Sequence, residues 1–183
     1  MYNSTGLADD QFDALYERLK AAIRNSLKQD KKPVQIPTVL GIIGALEVTL
    51  KYLRRNRVQA ELAESHSVSQ STISRAITAV TDLLADCLAE ERPTLGHLNA
   101  RNIIADKGYI GRGLHTPTRT QPGRKLTELE KEYNQRINHI RWPIERAIAH
   151  LKTWRILHTI YRRPHSTFQT TVNTITGIIF EIL

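Results

Sequence analysis

The sequence predicts a mainly α-helical chain in two parts, residues 1–91 and 92–183. Three observations predict it. Apolar residues recur at helical spacing through most of the 183 residues. Asn102-Ile-Ile-Ala105 is the one good strand candidate, with a brief second strand expected at 114–116. Prolines and glycines gather between the helical stretches, at Pro33, Pro37, Pro93 and from Gly108 to Gly123, and so separate the elements.

The first helix is expected over 8–28, with Phe12, Leu15, Leu19, Ile23 and Leu27 on one face. Lys31, Lys32 and Pro33 end it. A second helix over 38–55 carries Leu40, Ile43, Leu46, Leu50 and Leu53 as its apolar face. Two more helices, 58–66 and 70–90, are broken by Ser67-Val-Ser69, with Ser69 a natural N-cap for the later one. After Pro93 and the strand candidate comes a basic, glycine-rich loop over 107–125. Thr127 then opens a long helix that runs to about 153. Glu130, three residues on, completes a capping-box pattern, and Pro143 predicts a kink. Pro164 separates this from a last helix over 166–182.

The net charge of +8 favours a polyanionic partner without naming one. Residues 1–91 hold 11 Lys and Arg against 12 Asp and Glu, and residues 92–183 hold 15 against 6. The excess therefore belongs to the second part. Cys87 is the sole cysteine, which excludes an internal disulfide and a thiolate zinc site and suits a reducing cytoplasm. Its apolar helical surroundings read as core. The acidic start, with Asp9, Asp10 and Asp13, is no signal peptide, and no apolar stretch is long enough to span a membrane.

Residues 59–78 match what a helix-turn-helix requires. Two short helices that cross steeply need small or apolar residues where they meet. Leu62 and Ala63 face inward, Ala63 being small where the second helix passes. Val68 plugs the turn, and Ile73 and Ile77 hold the second helix from beneath. The turn position that glycine often fills is Ser67, which must take the same backbone shape at some cost. The second helix presents Ser69, Gln70, Ser71, Thr72, Ser74 and Arg75 outward, the short hydrogen-bonding groups that base edges and phosphates call for. The plainer alternative is a helical hairpin with a serine-rich surface. Lys51, Arg54, Arg55 and Arg57, just upstream, are available to grip phosphates, although an isolated charge run of this kind is more often plain solvated surface. On this reading residues 1–91 bind duplex DNA unaided.

A second constellation lies downstream. Asp106 ends the strand candidate and opens a glycine turn, a place where aspartate is commonly a turn former. Arg141, Glu145 and Lys152 fall within about 40° of one another on the long helix, beside the stripe of Ile137, Ile140, Ile144, Ile148 and Leu151. Taken alone, Arg141 and Glu145 are an ordinary i,i+4 pair.

Taken together, Asp106-Lys-Gly-Tyr-Ile-Gly111 and the Arg141–Glu145–Lys152 spacing resemble the DDE transposases of bacterial insertion sequences, in which a helix-turn-helix commonly precedes the catalytic domain. The resemblance implies a ribonuclease-H-like α/β domain in the second part, a metal-dependent endonuclease chemistry and double-stranded DNA at transposon ends as partner. It implies that Asp106 and Glu145 are catalytic carboxylates that ligate Mg²⁺, and that Arg141 and Lys152 contact DNA. It admits a homo-oligomer or an intact transposase as protein partner.

One departure is large. The family places its first catalytic aspartate and three strands before the position of Asp106. Here 13 residues, 89–101, stand between Leu88, where the DNA-binding region ends, and Asn102. Three strands of about five residues each, with turns, do not fit. The second part therefore reads as a truncated ribonuclease-H-like remnant with one or two strands and long C-terminal helices. A site in which two metal ions are held by carboxylates on both sides is incomplete without the shared aspartate. Asp106 and Glu145 suffice for one ion with help from water, in the loose manner Mg²⁺ accepts. The expectation is a DNA-binding protein of the transposase family that is catalytically inactive; the alternative is a regulator that occupies transposon ends without catalysis.

Overall fold

The computed structural model describes residues 5–28, 35–89, 104, 114–120 and 122–182. Among the described residues six α-helices run in order: α1 (Asp9–Lys28), α2 (Gly41–Arg55), α3 (Gln59–Ser65), α4 (Gln70–Cys87), α5 (Glu128–Lys152) and α6 (Phe168–Ile182). Short 3-10 turns at Arg155–Leu157 and His165–Thr167 lie between the last two. The protein is mainly α, as its periodicity predicts. No helix among the described residues is long and apolar enough to cross a membrane.

The chain forms two compact units, one of residues 1–92 with 150–183 and one of residues 93–149. In the first, α1 starts with Asp9 and Asp10, whose charges suit the positive end of a helix. Leu15 and Leu19 drive its inner face into the core. On α2 the buried residues are Ala45, Leu46, Val48, Thr49, Leu50, Tyr52 and Leu53. This arc centres on Thr49, whose hydroxyl donates to the Ala45 carbonyl at 2.7 Å and so satisfies itself in an apolar setting. Ile43, expected on the apolar face, is 55% exposed. It lies about 120° from Thr49, while Ile42 falls inside the arc and packs on the core.

The units do not follow the division of the sequence into 1–91 and 92–183. Trp154, Ile156, Ile175, Ile178 and Ile179 are buried in the same cluster as Leu50, Ile77 and Leu84. Helix α6 lies against α4, and Thr174 donates across that interface to the Thr81 carbonyl at 2.9 Å. The approach is close because Gly177 faces Leu88: a Cβ there would stand 2.6 Å from the leucine Cβ. The first unit's core is thus completed by the chain's last residues.

In the second unit, Thr127 and Glu130 form the expected capping box. The Glu130 amide donates to Thr127 Oγ1 at 3.2 Å, and the Thr127 amide donates to the Glu130 carboxylate at 2.8 Å. Those bonds hold the Glu130 carboxyl below its ordinary pKa, the Thr127 backbone contributing most. Asn134 clamps the incoming strand-like segment, accepting from the Thr118 amide at 2.7 Å and donating to its carbonyl at 3.1 Å. Helix α5 runs on through Pro143. The predicted strand at 102–105 lies mostly outside the described residues. Its Ile104 makes a parallel bridge to His115, within the second predicted strand. Arg124 holds a further bridge position, and no named strand is present among the described residues.

Candidate nucleic-acid interface

Helix α3 is short, and α4 follows it after the turn 66–69. Leu62 and Ala63 are buried, Ile73 and Ile77 fully so, and Val68 packs on the core from the turn. The turn closes through two backbone bonds, Ser67 amide to Glu64 carbonyl at 3.1 Å and Val68 amide to Ala63 carbonyl at 3.0 Å. Ser67 has φ 52°, the left-handed shape expected of that position.

Ser69 then caps α4. Its hydroxyl accepts the Thr72 amide at 3.2 Å, relieving one of the free amides at a helix start. Ser69, Gln70, Ser71 and Arg75 are exposed or half-buried at the surface, and Ser74 is half-buried beside them. Thr72 corrects the sequence reading: it is buried, with its hydroxyl 2.9 Å from Ser69 Oγ. Third in the helix, it turns back onto the cap, so it builds the helix start and does not face outward. The Arg75 guanidinium reaches back to the Ser71 carbonyl at 3.3 Å, which steers it along the outer face. That face continues through exposed Thr78, whose hydroxyl donates to the Ser74 carbonyl at 3.0 Å. Further on it turns acidic, with Asp82 and Asp86 both exposed. The stretch suited to a polyanion is therefore the N-terminal half of α4.

The upstream basic residues divide. Lys51 pairs with Glu47. Arg54 lies over the Trp154 ring, 5.3 Å from its centroid, and donates to Thr153; burial lowers its pKa, with Arg55 adding to the effect. Arg55 and Arg57 are exposed.

Of the carboxylate constellation, the structure brings together Arg141 and Glu145, paired at 3.1 Å on α5, with Glu145 61% exposed and Arg141 22%. Lys152 is exposed at the end of the same helix. Asp106 lies outside the described residues. Among those described, no three His, Cys, Asp or Glu come together to hold a metal ion, and Glu145 faces a guanidinium. The described residues therefore do not make up a metal site for Mg²⁺. Sequence reasoning missed Asn56 and the segment 153–163, which hydrogen bonds join across the first unit. Their only sequence signal is the basic pair Arg162-Arg163 before Pro164.

An inward-packed α3–α4 pair and an Arg–Glu pair on a long capped helix are thus joined in one chain. Residues 59–179, a span from the start of α3 into α6, match the family described as DDE superfamily endonuclease. The chain belongs to that family. It is 40% identical over 81 residues to the transposase assigned to insertion sequence element IS702 of Microchaete diplosiphon, a match covering 42% of this chain. It is 31% identical over 136 residues to the transposase assigned to insertion sequence element IS112 of Streptomyces albus G, covering 70% of this chain. The matched parts span 29% of the first relative's length and 53% of the second's. No solved structure matches.

Proposed function

We propose that the chain binds double-stranded DNA at transposon ends, in the cytoplasm, reading base edges with the N-terminal half of α4. The observation that carries this is the outward row of Gln70, Ser71 and Arg75 on a helix whose start is fixed by Ser69 and whose underside is locked by Ala63, Val68 and Ile73. Rigid placement of short polar groups and an arginine is what direct readout requires. Family membership supports the same reading. Replacing Gln70 and Arg75 with alanine is expected to weaken specific binding by about 1–3 kcal/mol for each base edge no longer bonded. Both side chains lie on the outer face, so the fold, followed by circular dichroism, stays intact. Unchanged affinity of the double variant for a selected site would remove α4 from the role of reader.

The cutting chemistry of the family is, on this proposal, absent. The 13 residues from 89 to 101 leave no room for the three strands, one of them bearing the first aspartate, that the family places there. Asp106 and Glu145 are the two carboxylates left to hold a divalent ion such as Mg²⁺, with Arg141 and Lys152 beside Glu145 as DNA contacts. The purified chain is expected to leave a transposon-end duplex intact in Mg²⁺ or Mn²⁺. Nicking that disappears in both Asp106→Ala and Glu145→Ala would overturn this, since a contaminating nuclease would ignore both substitutions.

A further inference from the structure

Two stretches of this chain, 54–57 and 153–165, carry three arginines each and no acidic residue. They are about a hundred residues apart in sequence, and the fold ties them together. Asn56 ends α2 in the left-handed conformation, φ 48°. From there its side-chain amide donates to Thr159 Oγ1 at 2.7 Å and to the Ile160 carbonyl at 2.9 Å. Its own carbonyl accepts from Arg162 at 2.9 Å. Trp154 and Ile156 anchor the segment in the core. At its far end Arg163 donates to Thr78 Oγ1 at 3.0 Å, one helical turn beyond Ser74 on the outer face of α4.

We infer that this lobe is a second DNA contact, a clamp on the phosphate backbone formed by Arg55, Arg57, Arg155 and Arg162, all of which reach the surface. The inference rests on the proposed reading of α4. Arg54 and Arg163 hold the lobe in place, the one over Trp154 and the other on Thr78. Gathering like charges without acids disfavours the compact state, a cost that a polyanion offsets. The lobe joins the protein at the entry to α3 and at the middle of α4, so it flanks the reading helix. The Arg163 charge also favours the ionised form of Asp82, countering the partial desolvation that raises that carboxyl's pKa. The basic lobe thus takes over where α4 itself becomes acidic. Phosphates carry no sequence information, so the lobe adds affinity on every duplex and leaves specificity to Gln70 and Arg75.

The test uses the full chain and a duplex of mixed sequence, with affinity measured by fluorescence anisotropy over a range of salt. Each phosphate left unneutralised flattens the slope of log K against log salt by about 0.9. Arg57→Gln/Arg155→Gln is expected to flatten it by about 2, and Arg155→Gln alone by about 1. Lys131→Gln/Arg136→Gln removes two surface charges from the other unit and is expected to change it less. A slope equal to the parent's in the lobe variants, or one flattened as much by the α5 pair, overturns the inference. Parent protein that fails to bind DNA at low salt overturns it too. Failure of the α4 reading shows separately, as a Gln70→Ala variant whose ratio of specific to nonspecific affinity is unchanged.

Discussion

Among the described residues two outside glycine take the left-handed backbone, Asn56 at φ 48° and Ser67 at φ 52°, and they do so for different reasons. Asparagine tolerates that region and here converts it into hydrogen bonds, because the cap geometry points its amide at Thr159 and Ile160. Asn56→Ala is expected to cost about 2–4 kcal/mol in urea unfolding, from the loss of two hydrogen bonds and a strained backbone. Asn56→Gly keeps the backbone and should cost about 1 kcal/mol less. Equal losses in the two variants would mean that conformation plays no part. Ser67 is exposed and gains no such bond from its side chain, so Ser67→Gly should raise stability by up to about 1 kcal/mol. Lowered stability would show that the serine is selected for something other than turn shape. Cys87 is constrained differently. Burial, the largest effect on it, pushes its thiol pKa up, so less thiolate is present at any given pH. Its alkylation at pH 8 should be slower than that of an unstructured cysteine peptide, and unfolding in urea should abolish the difference. A folded protein that reacts as fast as the peptide would contradict the burial of this thiol.

Among the elements, the four N-terminal helices and the α3–α4 turn are legible in the sequence because each is specified locally. Periodicity, Ser69 as cap and the small Ala63 are read within a few residues. Spacing misplaces Thr72 for a related reason: it cannot show a hydroxyl turning back onto its cap. It misplaces Ile43 because the arc buried on α2 is set by partners remote in sequence. The same holds for α6, whose docking on α4 depends on Gly177, a position that carries no local signal. Gly177→Ala would force a methyl to within 2.6 Å of Leu88 Cβ, with the Leu88 carbonyl at 3.2 Å giving no room behind it. Overpacking of this kind costs about 1–3 kcal/mol. An unchanged melting temperature would mean that α6 rides farther from α4 than the structure places it. On α5, Ile137 is buried whereas Ile140, Ile144 and Ile148 are exposed. Their helical spacing is that of a face meant to be covered. Of the two carboxylates read from the sequence, Glu145 lies on α5, while Asp106 lies outside the described residues.

At the scale of the molecule, charge and core follow different divisions of the chain. The sequence places the basic excess after residue 91, apart from the reading helix, and treats residues 1–91 as sufficient for DNA binding. The fold returns residues 150–183 to the first unit, and with them three arginines and five core side chains: Trp154, Ile156, Ile175, Ile178 and Ile179. Each buried side chain of this size is worth about 1.5–3 kcal/mol, so together they contribute on the order of 10 kcal/mol. That is as large as the whole net stability of an ordinary domain, about 5–15 kcal/mol. Residues 1–92 alone are therefore expected to lack a cooperative melting transition and to lose specific DNA binding. Replacing 93–149 by a flexible Gly/Ser linker is expected to restore both, because it removes the other unit and keeps the core whole. Differential scanning calorimetry and a binding isotherm on the two shortened proteins decide the matter. Cooperative melting of 1–92 at the parental temperature would show that α6 and Trp154 decorate a core already complete, and that the sequence boundary near residue 91 is the physical one.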